Sequence, residues 1–153
     1  MRVSVEERLR REGLEVPKPP VALGAYVPAV RSGHLVFTAG QLPLLEGVLL
    51  ATGRVDEDVP VDVGRRCAER SALNALAAAS TVCELDRVTR VVKVVGYVAS
   101  SPGFSGQPAV IDGASLVMTI AFGDAGRHAR EAVGVAGLPL GAPVEISLLL
   151  EVG

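Results

Sequence analysis

The chain has no tryptophan, and only three phenylalanines and two tyrosines serve 153 residues, of which 49% are hydrophobic. A core without large rings has to be assembled from valine, alanine and leucine, which favours closely packed strands and small-residue interfaces. Positive charge is not in excess either: 15 Lys and Arg stand against 17 Asp and Glu, for a net charge of −2. Neutralising phosphates needs a basic face, so nucleic acid is not expected as a principal partner. The apolar runs are broken well before the roughly 18 residues that a membrane-spanning helix needs. The first residues carry Arg2, Glu6, Glu7 and Arg8 in place of an apolar signal core. A soluble, cytoplasmic protein is therefore expected, with no membrane partner. The two cysteines, Cys67 and Cys83, form no CxxC and have no histidine beside them in sequence, which points to buried, reduced thiols and to no metal site.

What is present reads as one domain over residues 1–153, with one core and no linker. Ser4 followed by Glu7 is a capping-box pattern ahead of "ERLRREG", which predicts a short helix closed by Gly13. "EVPKPPVALGAYVP" has four prolines and reads as an ordered arm or loop. "HLVFTAGQLPL" and "GVLLATG" read as two short strands in a hairpin-like pair. From Pro60 to about Cys83 the sequence is Ala-rich, with Val63, Cys67, Ser71, Ala75, Ala78 and Val82 at helical spacing. Valine content decides for a strand over "DRVTRVVKVVGYVAS", despite Arg87, Arg90 and Lys93 recurring every three. Pro108 suits the first turn of a second long helix with Val110, Ala114, Val117 and Ala121 as its apolar stripe and with Asp112, Ser115 and Thr119 elsewhere. "AREAVGVAGLP" and "VEISLLLEV" read as two strands around a Pro/Gly turn. The order ββαβαββ predicts an α+β domain in which two helices cover one face of a mixed sheet. The other face would be bare in a monomer, so a homo-oligomer is expected.

Catalytic signatures are scarce: no GxSxG, no Walker sequence, no GxGxxG in a strand-to-helix turn and no HExxH. There are two histidines, His34 and His128. His34 in "RSGHL" reads as a solvated loop residue, and His128 fits the rim of a site better than its centre. In the strand "AREAVGV", Arg130, Ala132, Gly134 and Ala136 share a parity, so the arginine stands on the side lined by the smallest residues. It either pairs with an acid across the sheet edge or holds a ligand carboxylate in its fork, and pattern alone leaves both open. Glu145 shares its parity with Ser147, Leu149 and Glu151, where a solvated strand carboxylate is the plainer reading.

Three segments, "GAYVPAVRSGHLVFTAGQLPL", "GFSGQPAVIDGAS" and "AREAVGVAGLPLGAPVEIS", resemble in order and over nearly the whole chain the RidA (YjgF) family of reactive enamine and imine deaminases, formerly called endoribonuclease L-PSP. The resemblance implies a chorismate-mutase-like α+β fold and a homotrimer with active sites at the clefts between subunits. Arg130 matches the family arginine that binds the substrate carboxylate, and Glu145 matches the glutamate associated with activating the attacking water. Tyr26 matches the tyrosine that lines the site, and Gly40 falls where a backbone group faces the ligand. Ala39 stands where the best-studied members have a serine, Asp112 where they have an asparagine and Ala132 where they have a cysteine. The implied reaction is hydrolysis of 2-aminoacrylate-like enamines and 2-imino acids to 2-oxo acids and ammonia, with no cofactor and no metal. The competing implications are an endoribonuclease or translation inhibitor, and a trimer that binds carboxylates with little catalysis.

Overall fold

The computed structural model describes residues 2–21 and 24–153. In chain order the elements are α1 (Val5–Arg11), β1 (Ala29–Ser32), β2 (Leu35–Thr38), β3 (Leu44–Leu45), β4 (Val48–Leu49), α2 (Val61–Ala79), β5 (Val88–Ala99), α3 (Gln107–Phe122), β6 (Ala129–Val135) and β7 (Val144–Val152). Five strands make one mixed sheet in the order β1-β2-β7-β5-β6, while β3 and β4 form a separate ribbon. The fold is α+β, with α2 and α3 packed together over one sheet face.

Local chemistry accounts for the elements. Ser4 Oγ accepts the Glu7 N–H at 3.1 Å to cap α1, and Gly13 takes φ +74° just beyond its end. On α2 the residues Cys67, Ser71, Ala75 and Ala78 are fully buried, as are Val110, Ala114, Val117 and Ala121 on α3. Small side chains let the two helices approach so closely that a Cβ on Gly113 would strike the Arg65 carbonyl oxygen. On β7, Val144, Ile146, Leu148, Leu150 and Val152 are buried, and the alternate residues face the other way. By composition α3 and its short extension, Gln107–Gly126, are long and apolar enough to cross a membrane, but half of this stretch is buried and its stripe belongs to the core.

Three expectations need correction. The sequence predicts no strand at Ala29–Ser32, yet one forms there and pairs with β2 across the Gly33–His34 turn, Ser32 opposite Leu35. The hairpin partner of "GVLL" is therefore Leu44–Leu45 and not "HLVF". The third concerns the C-terminal strands, which are not paired with each other, because β5 lies between them, parallel to β6 and antiparallel to β7. The eight residues from Ala136 to Pro143, with Leu140 and Gly141 both at positive φ, are long enough to step across the end of β5. A two-residue turn would have forced direct pairing. The α2 helix ends at Ala79, and the four residues after it continue in turns. The proline-rich arm has no helix or strand in its described residues; Ala22 and Leu23, part of that expected arm, lie outside them.

The sheet face away from the helices carries exposed apolar side chains, among them Val30 at 52% and Phe37 at 45%, which are cross-strand partners, and Val133 on the edge strand. Helix contact at Gly113 gives a direct test. Gly113→Ala should lower unfolding stability by about 1–3 kcal/mol through overpacking. Gly103→Ala, where nothing lies within 4 Å of the new methyl, should change it little in the same urea titration. Equal stability of the two variants would contradict the close α2–α3 approach.

Candidate functional site

The placement of Arg130 follows from parallel pairing. Because β6 runs parallel to β5, the chain crosses back through α3 before entering β6, and α3 ends up above that edge of the sheet. Arg130 aligns with Val94 and Ala132 with Gly96, and Ile111 of α3 covers Gly96, so both β6 residues face the helix layer. One turn of α3 then presents Asp112 and Ser115 to the guanidinium. Arg130 Nη1 donates to Asp112 Oδ1 at 2.7 Å and to Ser115 Oγ at 3.2 Å. The arginine side chain is 25% exposed and the aspartate 49%. Ala132 packs half-buried against the core, and beyond it Gly134 leaves room that Gln107 Nε2 would contest with any added Cβ.

His128 completes this cluster: Nε2 lies 2.8 Å from Ser115 Oγ and Nδ1 lies 2.6 Å from the Gly126 carbonyl. Ser115 was assigned no role from sequence. Two sequence features could have found it: Asp112 and Ser115 are three apart on one helix, and His128 and Arg130 share a strand parity. His34, by contrast, sits exposed in the β1–β2 turn with Nδ1 3.1 Å from the Val152 carbonyl.

Glu145 lies elsewhere. It pairs with Tyr97 on β5, and strand alternation turns its side chain to the face opposite the helices. The backbone at Gly40 packs against it so tightly that a Cβ there would lie 2.7 Å from the carboxyl carbon and from Oε2. Gln41 and Ile146 fix that approach by exchanging backbone hydrogen bonds of 2.8 and 3.0 Å. Ala39 is half-buried next to Gly40 and its N–H donates to the Pro28 carbonyl. Burial pushes the Glu145 carboxyl above the ordinary carboxylate range, and no donor reaches it among the described residues. Tyr26 is 62% exposed on the arm and hydrogen-bonds to neither cluster among the described residues.

Apart from Tyr26, the predicted site residues therefore fall into two groups on opposite faces of one sheet: Arg130, Asp112 and Ala132 in one, Glu145, Gly40 and Ala39 in the other. Two strand spacings, about 10 Å, separate β6 from β7, so no single small carboxylate spans Arg130 and Glu145 within one chain. A cleft of about 640 Å³ is lined by Glu15, Lys18, Gln41, Arg70 and Asn74 among others and contains neither Arg130 nor Glu145. Cys67 is fully buried and its thiol is pushed up to about 11, which keeps it protonated and unreactive at neutral pH. Among the described residues no three of His, Cys, Asp and Glu converge as metal ligands.

A mixed sheet layered by two helices, with a carboxylate-capable arginine on its edge strand, defines an α+β protein of the chorismate-mutase-like class. A family model described as "YjgF/chorismate mutase-like, putative endoribonuclease" matches residues 6–152, and the chain belongs to that family. It is 40% identical over 149 residues to protein TCP17 of Trypanosoma cruzi, covering 96% of this chain and 93% of that one. Among solved structures, Atu1372 of Agrobacterium tumefaciens, of unknown function, is 42% identical with a TM-score of 0.90, covering 97% of this chain and 92% of its own. A Shewanella oneidensis protein given the same endoribonuclease designation is 33% identical with a TM-score of 0.93, covering 98% and 100%.

Protonation of Glu145 gives a prediction. Its folded-state proton affinity is raised, so the folded chain holds a proton that the unfolded chain has released, and stability falls as pH climbs from the ordinary carboxylate range through the raised value. Glu145→Gln is neutral at every pH. Its stability relative to wild type should therefore increase between about pH 4 and pH 7 in thermal melts; a constant difference would show that Glu145 is not desolvated.

Proposed function

We propose that the chain hydrolyses reactive enamines and imines, 2-aminoacrylate and small 2-imino acids, to 2-oxo acids and ammonia, in a homotrimer whose sites lie between subunits. The observation that carries this reading is Arg130. Its side chain is three-quarters buried on an edge strand, and among the described residues the protein holds its guanidinium through one nitrogen only. Such a fork suits a planar carboxylate. Glu145 supports the other half of the reaction, as a half-buried carboxylate that desolvation makes a stronger base than an exposed one.

The chemistry then needs little else. A 2-aminoacrylate tautomerises to the 2-imino acid, whose C=N carbon is electrophilic. The imine nitrogen is protonated; water adds to the iminium carbon while Glu145 takes one of its protons, and a neutral carbinolamine forms. Glu145 returns that proton to the amine nitrogen, the C–N bond breaks and ammonia leaves, and Glu145 takes the hydroxyl proton as the carbonyl of the 2-oxo acid forms. Positioning by Arg130 and one proton acceptor supply the main effects. Assembly would bring the two groups together: the Arg130 edge of one copy meets the Glu145 face of the next, and such head-to-tail contacts close as a ring. The exposed Val30, Phe37 and Val133 on and beside that face would be covered.

The family description favours a second reading, an endoribonuclease. Composition opposes it, since an acidic chain with five aromatics has little to offer phosphates or stacked bases. The deciding assay generates 2-aminoacrylate in situ and follows pyruvate and ammonia. Wild type should accelerate both, while Arg130→Ala and Glu145→Ala should each lose at least about tenfold in kcat/KM. No acceleration by wild type would exclude the deaminase, and pyruvate stabilisation without ammonia release would identify a carboxylate-binding trimer. Cleavage of single-stranded RNA by wild type would favour the nuclease. Asp112→Asn should lower KM, because it keeps an acceptor for Nη1 and removes a negative charge from beside the substrate carboxylate. Phe37→Asp should shift the mass in light scattering from trimer towards monomer and abolish turnover; an active monomer would rule out a shared site.

A further inference from the structure

We infer that Ser115 and His128 are positioning residues for Arg130, and that they leave the Nε–Nη2 edge of its guanidinium for the ligand carboxylate. The inference rests on the reading of Arg130 as the carboxylate site. It starts at the Gly126 carbonyl, which can only accept a hydrogen bond and lies 2.6 Å from His128 Nδ1. Nδ1 must then carry a proton, and in the neutral ring Nε2 is the acceptor. The Ser115 hydroxyl, 2.8 Å away, donates to Nε2. A serine inside a helix usually bonds back to a carbonyl of the preceding turn; this one points outward to the strand.

With its proton committed to His128, Ser115 Oγ has lone pairs left for Arg130 Nη1 at 3.2 Å. The second Nη1 proton goes to Asp112 Oδ1 at 2.7 Å. Both protons on that nitrogen are used, and neither Nε nor Nη2 has a protein acceptor among the described residues. Three N–H groups remain, and two of them, Nε–H and one Nη2–H, run parallel and match the two oxygens of a carboxylate. Asp112 and a substrate carboxylate thus take different sides of one guanidinium. Fixing Nη1 from two directions removes the rotational freedom that a long side chain would lose on binding, so the lock acts on affinity.

The test uses the full-length protein with pyruvate as the probe in titration calorimetry, and 2-aminoacrylate for KM and kcat. Ser115→Ala and His128→Phe should each weaken pyruvate about tenfold and raise KM to match, with kcat within about twofold of wild type. Ser115→Thr keeps the hydroxyl and His128→Gln keeps a neutral acceptor for it, and both should restore binding. Unchanged pyruvate affinity in Ser115→Ala and His128→Phe, with Arg130→Ala inactive in binding, would overturn the positioning role alone. Wild-type pyruvate affinity in Arg130→Ala would overturn the site itself. Ser115-dependent pyruvate binding by a wild type that gives no ammonia would leave the lock standing and remove the deaminase reading.

Discussion

Parallel pairing of β5 with β6 is the constraint on which the rest of the structure depends. Two adjacent strands can run in the same direction only if the chain returns to the starting end of the sheet, and here the return is α3. Three consequences follow from that one pairing. The sheet gains an edge strand whose inner side chains lie directly below α3. Asp112 and Ser115 come down on Arg130 because they project from that crossover. The chain must then pass from the edge back across the end of β5 to insert β7 in the middle of the sheet, which separates Arg130 and Glu145 both laterally and by face.

The two halves differ in how their charge is managed. Arg130 is matched by Asp112 at hydrogen-bond distance, but the aspartate is half exposed, so the pair contributes only modestly to stability and serves mainly to orient. Glu145 has no such partner among the described residues, and its environment penalises the ionised form. One half is a guanidinium already held in place; the other is a carboxylate whose burial raises its affinity for a proton. Lys93 and Glu131, paired at 2.7 Å on the same face as Glu145, show what an ordinary exposed ion pair looks like on this sheet. Neither Arg130 nor Glu145 is of that kind, which is why they stand out among the chain's 32 charged residues, 15 basic and 17 acidic.

Sequence made the helices and the long strands legible because their signals are local. Val110, Ala114, Val117 and Ala121 share a stripe whatever lies beneath them, and Val144 to Val152 alternate whatever strand they join. Pairing was less legible because it depends on the whole chain. "GLPLGAP" has the composition of a hairpin turn, and nothing in it reveals that β5 occupies the place between the strands it connects. The strand Ala29–Ser32 was overlooked because four residues with an arginine and a serine at positions 31 and 32 carry almost no hydrophobic period, although the Gly33–His34 turn beside it was visible. Alternation gave the correct parity for Arg130 and for Glu145. It could not give their relative face, since parity on one strand says nothing about another until the register is known.

The same distinction separates the two halves of the site. Among the described residues, the groups that hold the Arg130 side chain come from within 18 residues of it, from Asp112 through Ser115 and Gly126 to His128. This half is set by one helix, one turn and one strand, and it forms when the crossover forms. The Glu145 half is held by backbone contact between residues more than 100 positions apart, Gln41 with Ile146 and Gly40 with Glu145, and it exists only once the sheet has closed. On the proposed reading, a second copy of the chain brings the locally built fork to the carboxylate that the closed sheet presents. Substitutions near Arg130 should then act mostly on ligand affinity, whereas substitutions that disturb the β2–β7 junction act on the fold and the reaction together.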